Sequence, residues 1–217
     1  MESYWILGAG RFGSLAVERI LKQKRGSRLL VVDRSARPLN DLGLRSAEKI
    51  QVDAIEFLLE HPGSGHEFII PAIPVHVAFA WLSRQLAKGG EVSPIPVPAA
   101  VDHMVPNPGR DEAGGLYASF ATFRCPDNCD EPAEKCTVTG ENRKANMFAL
   151  IRLIEIEGLT VKVVRSQQIT PGVGGYRLSV LWSLLEEVRS AGKDFMVATA
   201  CRCHAVLHAL RWHRTRH

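Results

Sequence analysis

The 217-residue sequence contains no run of about eighteen apolar residues, so no membrane-spanning helix is expected. Its first residues carry neither a basic lead nor a small-residue cleavage site. No signal peptide is therefore expected, and the location read from the sequence is cytoplasmic. No basic stretch is interleaved with aromatics in the manner of a nucleic-acid surface, so no nucleic-acid partner is expected. The basic excess is local instead. Residues 1–37 hold eight basic and three acidic side chains, and Arg211, Arg214 and Arg216 crowd the last seven positions. Lys22, Lys24, Arg25 and Arg28 fall where a helix should end, a place that suits cations. Cysteine is scarce and odd in number: five residues without an export signal argue against a disulfide framework and towards thiolate ligands or reactive thiols. What remains is ordinary globular material. With 46% hydrophobic and 23% charged residues, disordered and fibrous classes are excluded, and the length suits one large domain, or one domain with an insertion.

Short apolar runs alternate with helical periodicity through the first ninety or so residues. Residues 4–8, 28–33, 47–52 and 68–70 read as strands. Phe12, Leu15, Ala16 and Ile20 mark one helix, residues 53–60 a second, and Val75, Ala78, Phe79, Leu82 and Leu86 a third, stopped at Gly89-Gly90. Alternation of this kind predicts an α/β fold with a doubly wound, mainly parallel, Rossmann-like sheet. Five prolines between 94 and 108 argue against a central strand there. Residues 109–144 are rich in Gly, Cys and charge with little periodicity, which predicts an irregular, ligand-organised insertion. A helix at 145–156, a strand at 160–164, a helix after the glycine-rich loop 171–175, a strand at 195–200 and a short terminal helix should then complete the sheet. The expected organisation is a dinucleotide-binding half (1–108), a Cys-rich metal-binding insertion (109–144) and a C-terminal α/β part (145–217).

Gly8-Ala9-Gly10-Arg11-Phe12-Gly13 follows a predicted strand and opens a predicted helix, and Asp33 stands at the end of the next strand. Gly8 would allow the tight turn, Gly10 close approach of backbone amides to a pyrophosphate, and Gly13 close packing of helix on strand. The helix N-terminus, opened by Arg11 and Phe12, offers free N–H groups to the anion. Asp33 would accept from the adenosine ribose and favours NAD, whereas Arg34 and Arg37 leave NADP open. Residues 1–60 resemble the NAD-binding N-terminal domain of TrkA-type potassium-uptake regulators. The resemblance implies that Gly8, Gly10, Gly13 and Asp33 bind a dinucleotide. Beyond residue 90 the sequence departs from that family's pattern, so potassium regulation is not implied.

Two further sets of residues carry chemistry. His76, in the loop after the fourth strand, is the proton-transfer candidate, although its place early in an amphipathic helix points more to a structural or solvent-facing role; His103 and Asn107 are weaker polar candidates. Cys125, Cys129 and Cys136 lie within twelve residues of one another, and Cys201 and Cys203 follow a predicted strand. The spacing matches neither a zinc-ribbon pair nor a ferredoxin run, so an iron–sulfur cluster and zinc both stay open. His204 could add a ligand, and Cys201 and Cys203 could instead be small buried residues. The loop 171–175 reads equally as a phosphate cradle or a plain turn. Two functions follow: an NAD(P)-dependent oxidoreductase with a thiolate-bound metal centre near the cofactor, working with a small-molecule or protein redox partner, or a non-enzymatic nucleotide or redox sensor with structural zinc. A homodimer is compatible with either.

Overall fold

The computed structural model describes residues 1–43, 47–191 and 194–215; Arg216 of the basic tail lies outside them. The apolar runs of the N-terminal part form β1 (Ser3–Leu7), β2 (Arg28–Asp33) and β4 (Phe68–Pro71), and the more polar residues 47–51 form β3 (Ala47–Gln51). These pair in parallel in the order β3-β2-β1-β4. Crossovers are made by α1 (Arg11–Gln23), the short α2 (Ala36–Asp41) and α3 (Ala54–Glu60). Helix α3 starts where it does because the Asp53 carboxylate accepts from the Ile55 and Glu56 amides.

Beyond β4 the pairing changes sign. After α4 (Val77–Ala87) the chain leaves this sheet and builds β5 (Gly90–Ile95), β6 (Gly109–Arg110), β7 (Leu116–Ser119), α5 (Met147–Arg152) and β8 (Leu159–Arg165). It returns as the hairpin β9 (Gln167–Thr170) and β10 (Val173–Arg177), and β10 pairs antiparallel to β4. Helix α6 (Leu178–Ala191), β11 (Asp194–Ala200) and β12 (His204–Arg214) finish the chain. The second sheet runs β6-β7-β12-β11-β8, with β5 also on β12, and among the described residues its only parallel pair is β11 with β8.

A single doubly wound, mainly parallel sheet is thus overturned: there are two mixed sheets. The physical reason lies in the connections. A parallel neighbour needs a crossover of about a dozen residues or more, whereas residues 171–172 and 201–203 allow only hairpins. The glycine-rich loop 171–175 is accordingly a hairpin turn and strand rather than a strand-to-helix turn. The expected terminal helix is β12, and residues 116–119 of the supposedly irregular stretch are strand β7. Pro94 sits inside β5, which tolerates it because β5 pairs with β12 alone.

The layers run helix, sheet, helix, sheet, helix. Trp5 and Leu7 of β1 face an inner layer of α3, α4 and α6, while Tyr4 and Ile6 face α1 on the outside. The same alternation in β11 turns Phe195 and Val197 inward and Met196, Ala198 and Ala200 towards α5. Trp81 of α4, fully buried, stands in the inner layer between the two sheets.

Candidate functional site

The turn from β1 into α1 is shaped by two close approaches. Gly8 has φ +109°, and a Cβ there would lie 2.6 Å from the Ala72 carbonyl oxygen; at Gly13 it would lie 1.8 Å from that of Gly8. Around Gly10, by contrast, nothing lies within 4 Å of the Cβ position, so the outer side of the turn is open. Gly10 caps α1 without a side-chain hydrogen bond, which leaves the first-turn amides of a thirteen-residue helix for an anion. Asp33 closes the turn from β2: its Oδ2 accepts the Ala9 N–H at 2.8 Å and its Oδ1 the Ser35 N–H at 2.8 Å. Each oxygen keeps a lone pair that a ribose hydroxyl could use. Arg11, Phe12 and Arg34 are exposed at the rim.

The irregular segment after β7 brings thiols together. Cys125, Cys129, Cys136 and Cys203 line one cavity of about 370 Å³, whose wall also carries Phe120, Phe123, Pro132, Val138, Arg143 and Lys144. Burial, and then the neighbouring thiols Cys129, Cys203 and Cys136, push the Cys125 thiol above its ordinary value. Backbone N–H groups of Thr139 and Val138 hold Cys136 below its own, as amides directed at a thiolate do. The Glu131 N–H donates to Cys129 Sγ at 3.4 Å, and Glu131 sits at φ +48° to do so, held there by its carboxylate on the Arg202 amide. Arg143 donates to Cys203 Sγ at 2.8 Å and to the Pro132 and Arg202 carbonyls. These are donors suited to a thiolate-bound group. Among the described residues, however, no three His, Cys, Asp or Glu side chains are placed to hold a single metal ion.

Cys201 is different. It lies outside that cavity, in the turn between β11 and β12. Its sulfur accepts the Cys203 and His204 amides at 3.3 Å each, and burial raises its pKa to about 12. The His204 ring lies between the two groups, 3.6 Å from Cys125 Sγ and 3.7 Å from Cys201 Sγ.

The thiol segment is built against the glycine turn. Asp127, between Cys125 and Cys129, forms an ion pair with Arg11, and its carbonyl accepts from Arg19 of α1. The Cys129 carbonyl accepts from Gly172 and Gln168 of the β9–β10 hairpin at 2.9 and 2.8 Å. The five cysteines and the glycine motif stand out in the sequence. Asp127 and Arg143 do not, because single charged residues in a charged loop have no pattern until their partners are known.

His76 lies at the start of α4, and both ring nitrogens are turned to the second sheet. Nε2 is 2.9 Å from Thr199 Oγ1 and Nδ1 is 3.1 Å from His208 Nδ1. Asp111 lies 3.6 Å from His208 Nε2, which favours the proton there; His76 then donates from Nδ1 and accepts the Thr199 hydroxyl at Nε2. Burial drives the His76 pKa down to about 3, with His208 adding to the effect. His103 is exposed, and Asn107, at φ +44°, donates to the Ser119 carbonyl at 2.8 Å.

Residues 78–213 match the model of a family described as "Uncharacterized protein, C-terminal domain", a span that contains all five cysteines and begins after the glycine turn. A protein of Archaeoglobus fulgidus, described as "Uncharacterized protein", is 28% identical over 222 aligned positions, covering 95% of this chain and 98% of that one. Neither description states a ligand or an activity.

Proposed function

We propose, for a chain that belongs to the family matched over residues 78–213, a dinucleotide-binding redox protein with a thiolate-bound metal centre beside the nucleotide. The nicotinamide dinucleotide would lie with its pyrophosphate on the amides at the start of α1 and its ribose on Asp33. The resemblance of residues 1–60 to TrkA-type NAD-binding domains supports this reading. Cys125, Cys129, Cys136 and Cys203 would hold the centre, and a bound dinucleotide would supply hydride chemistry. The observation that carries the reading is the Arg11–Asp127 pair, which joins the glycine motif to the cysteine loop. Two unrelated ligand-type motifs placed against each other suit a protein that moves electrons between them.

The chain's own part is to bind and to set charge. Phe120, Phe123 and Val138 line the thiol cavity, and Arg143 sets positive charge beside Cys203. A sensor rather than a catalyst is favoured by one observation: both nitrogens of His76 are occupied within the protein, so no free acid–base group is supplied from that loop. Calorimetry of the anaerobically purified protein should give heat with NADH or NADPH, and NADH oxidation should follow on adding a dye acceptor. Heat without turnover supports the sensor; absence of heat with either dinucleotide overturns the nucleotide reading.

A further inference from the structure

Four thiols line one cavity of about 370 Å³, more room than a single metal ion fills. A tetrahedral zinc with Zn–S bonds of about 2.3 Å gathers its four sulfurs within about 4 Å of one another. Cys125, Cys129, Cys136 and Cys203 instead line a space that admits a polyatomic core. We infer that this cavity is the binding site of a [4Fe–4S] cluster ligated by Cys125, Cys129, Cys136 and Cys203, with Cys201 outside the ligand set. The inference rests on the thiolate-centre reading above and specifies it.

Three observations fit a cluster at this place. The ligands come from three separate segments, the 125–129 loop, the turn after Cys136 and the β11–β12 turn, so they can surround a polyatomic core rather than pinch one ion. Phe120, Ala121, Phe123, Pro132 and Val138 give the wall an apolar part, and the surroundings of such a cluster help to set its potential. Charge is also of the right sign: a 2+ core with four thiolates is anionic, and Arg143 on Cys203 with Lys144 at the wall outnumber the one carboxylate there, Glu141. The Glu131 N–H on Cys129 Sγ stabilises that ligating thiolate further. Cys201 does not line the cavity, which leaves it outside the ligand set.

The test is assembly of the full chain under nitrogen with equal ferrous and ferric iron and sulfide, which together sum to the 2+ core. About four iron and four sulfide per chain, with a broad band near ~400 nm, are expected. Cys203→Ser and Cys129→Ser should lose the band, and Cys201→Ala should keep it at full intensity. Circular dichroism of each variant separates loss of a ligand from loss of the fold. Loss of the cluster in folded Cys201→Ala, or its retention in Cys203→Ser, overturns the ligand set. One tightly held zinc per chain, with X-ray absorption showing four sulfurs at about 2.3 Å, overturns the cluster but leaves a thiolate centre standing. Failure to hold either metal overturns both.

Discussion

His76 is a neutral imidazole locked between two sheets, and that state has a pH cost. Its pKa is about 3 in the fold and about 6.5 in an unfolded chain. Between those values the unfolded chain binds the extra proton. Stability is therefore complete above about pH 6.5 and falls by about 1.4 kcal/mol per pH unit as the pH drops towards 3. His208 and His204, also shifted down by burial, add to the same slope. Urea midpoints measured from pH 7 to pH 4 should fall steadily, and His76→Leu should flatten the decline while lowering the midpoint at pH 7. An unchanged slope in that variant would remove His76 as the source. None of this was legible from the residue itself: a histidine at the start of an amphipathic helix looks the same whether it faces solvent or, as here, a second histidine 132 positions away.

At the scale of elements, the 125–129 loop is fastened to α1 by two contacts of unequal weight. The Arg11–Asp127 pair is largely exposed, with side chains 64% and 34% accessible, so it should contribute about 0–1 kcal/mol. Arg19 is half-buried and donates to the carbonyls of both Asp127 and Pro171, bridging the loop to the β9–β10 hairpin. Losing it strands two carbonyl acceptors at a packed junction, at about 1–3 kcal/mol. Arg19→Ala should thus lower the melting temperature clearly more than Asp127→Asn, and should speed proteolytic cutting between Cys125 and Cys136. Equal effects would contradict this division. Strands β1, β2 and β4 were legible because each is a short apolar run with at least half of its residues buried, whereas β3, with Glu48, Lys49 and Gln51, has no buried residue and was legible only from its place in the alternation. Of the second sheet only β8 and the largely buried β11 were legible. In β12 buried and accessible residues are interleaved, and a helix reading of Ala205, Leu207, Ala209 and Leu210 was equally available. The cysteine cluster was legible as a group, but the division between Cys203 inside and Cys201 outside depends on the side chosen by each residue of a three-residue turn.

For the whole molecule, the inner helical layer decides how the fold breaks. Trp5 and Leu7 from the first sheet and Phe195, Leu210 and Trp212 from the second belong to one buried cluster with α4 and α6. Unfolding should accordingly be a single transition, with tryptophan fluorescence and far-ultraviolet circular dichroism coinciding through a urea titration. Trp81→Ala, at about 3–5 kcal/mol, should shift both signals together. Separate midpoints would show that the sheets come apart independently.

The strand β10, which closes the open side of β4, is made of residues 173–177, more than a hundred positions after its partner. On a ribosome, the N-terminal strands therefore emerge long before that side can be covered. Until then β4 presents unpaired backbone, and Trp5, Phe57 and Ile69 lack the residues of α6 that finally bury them. The growing polypeptide must wait in a half-clothed state, and holding factors that bind apolar chain should matter more during its synthesis than at any time after release.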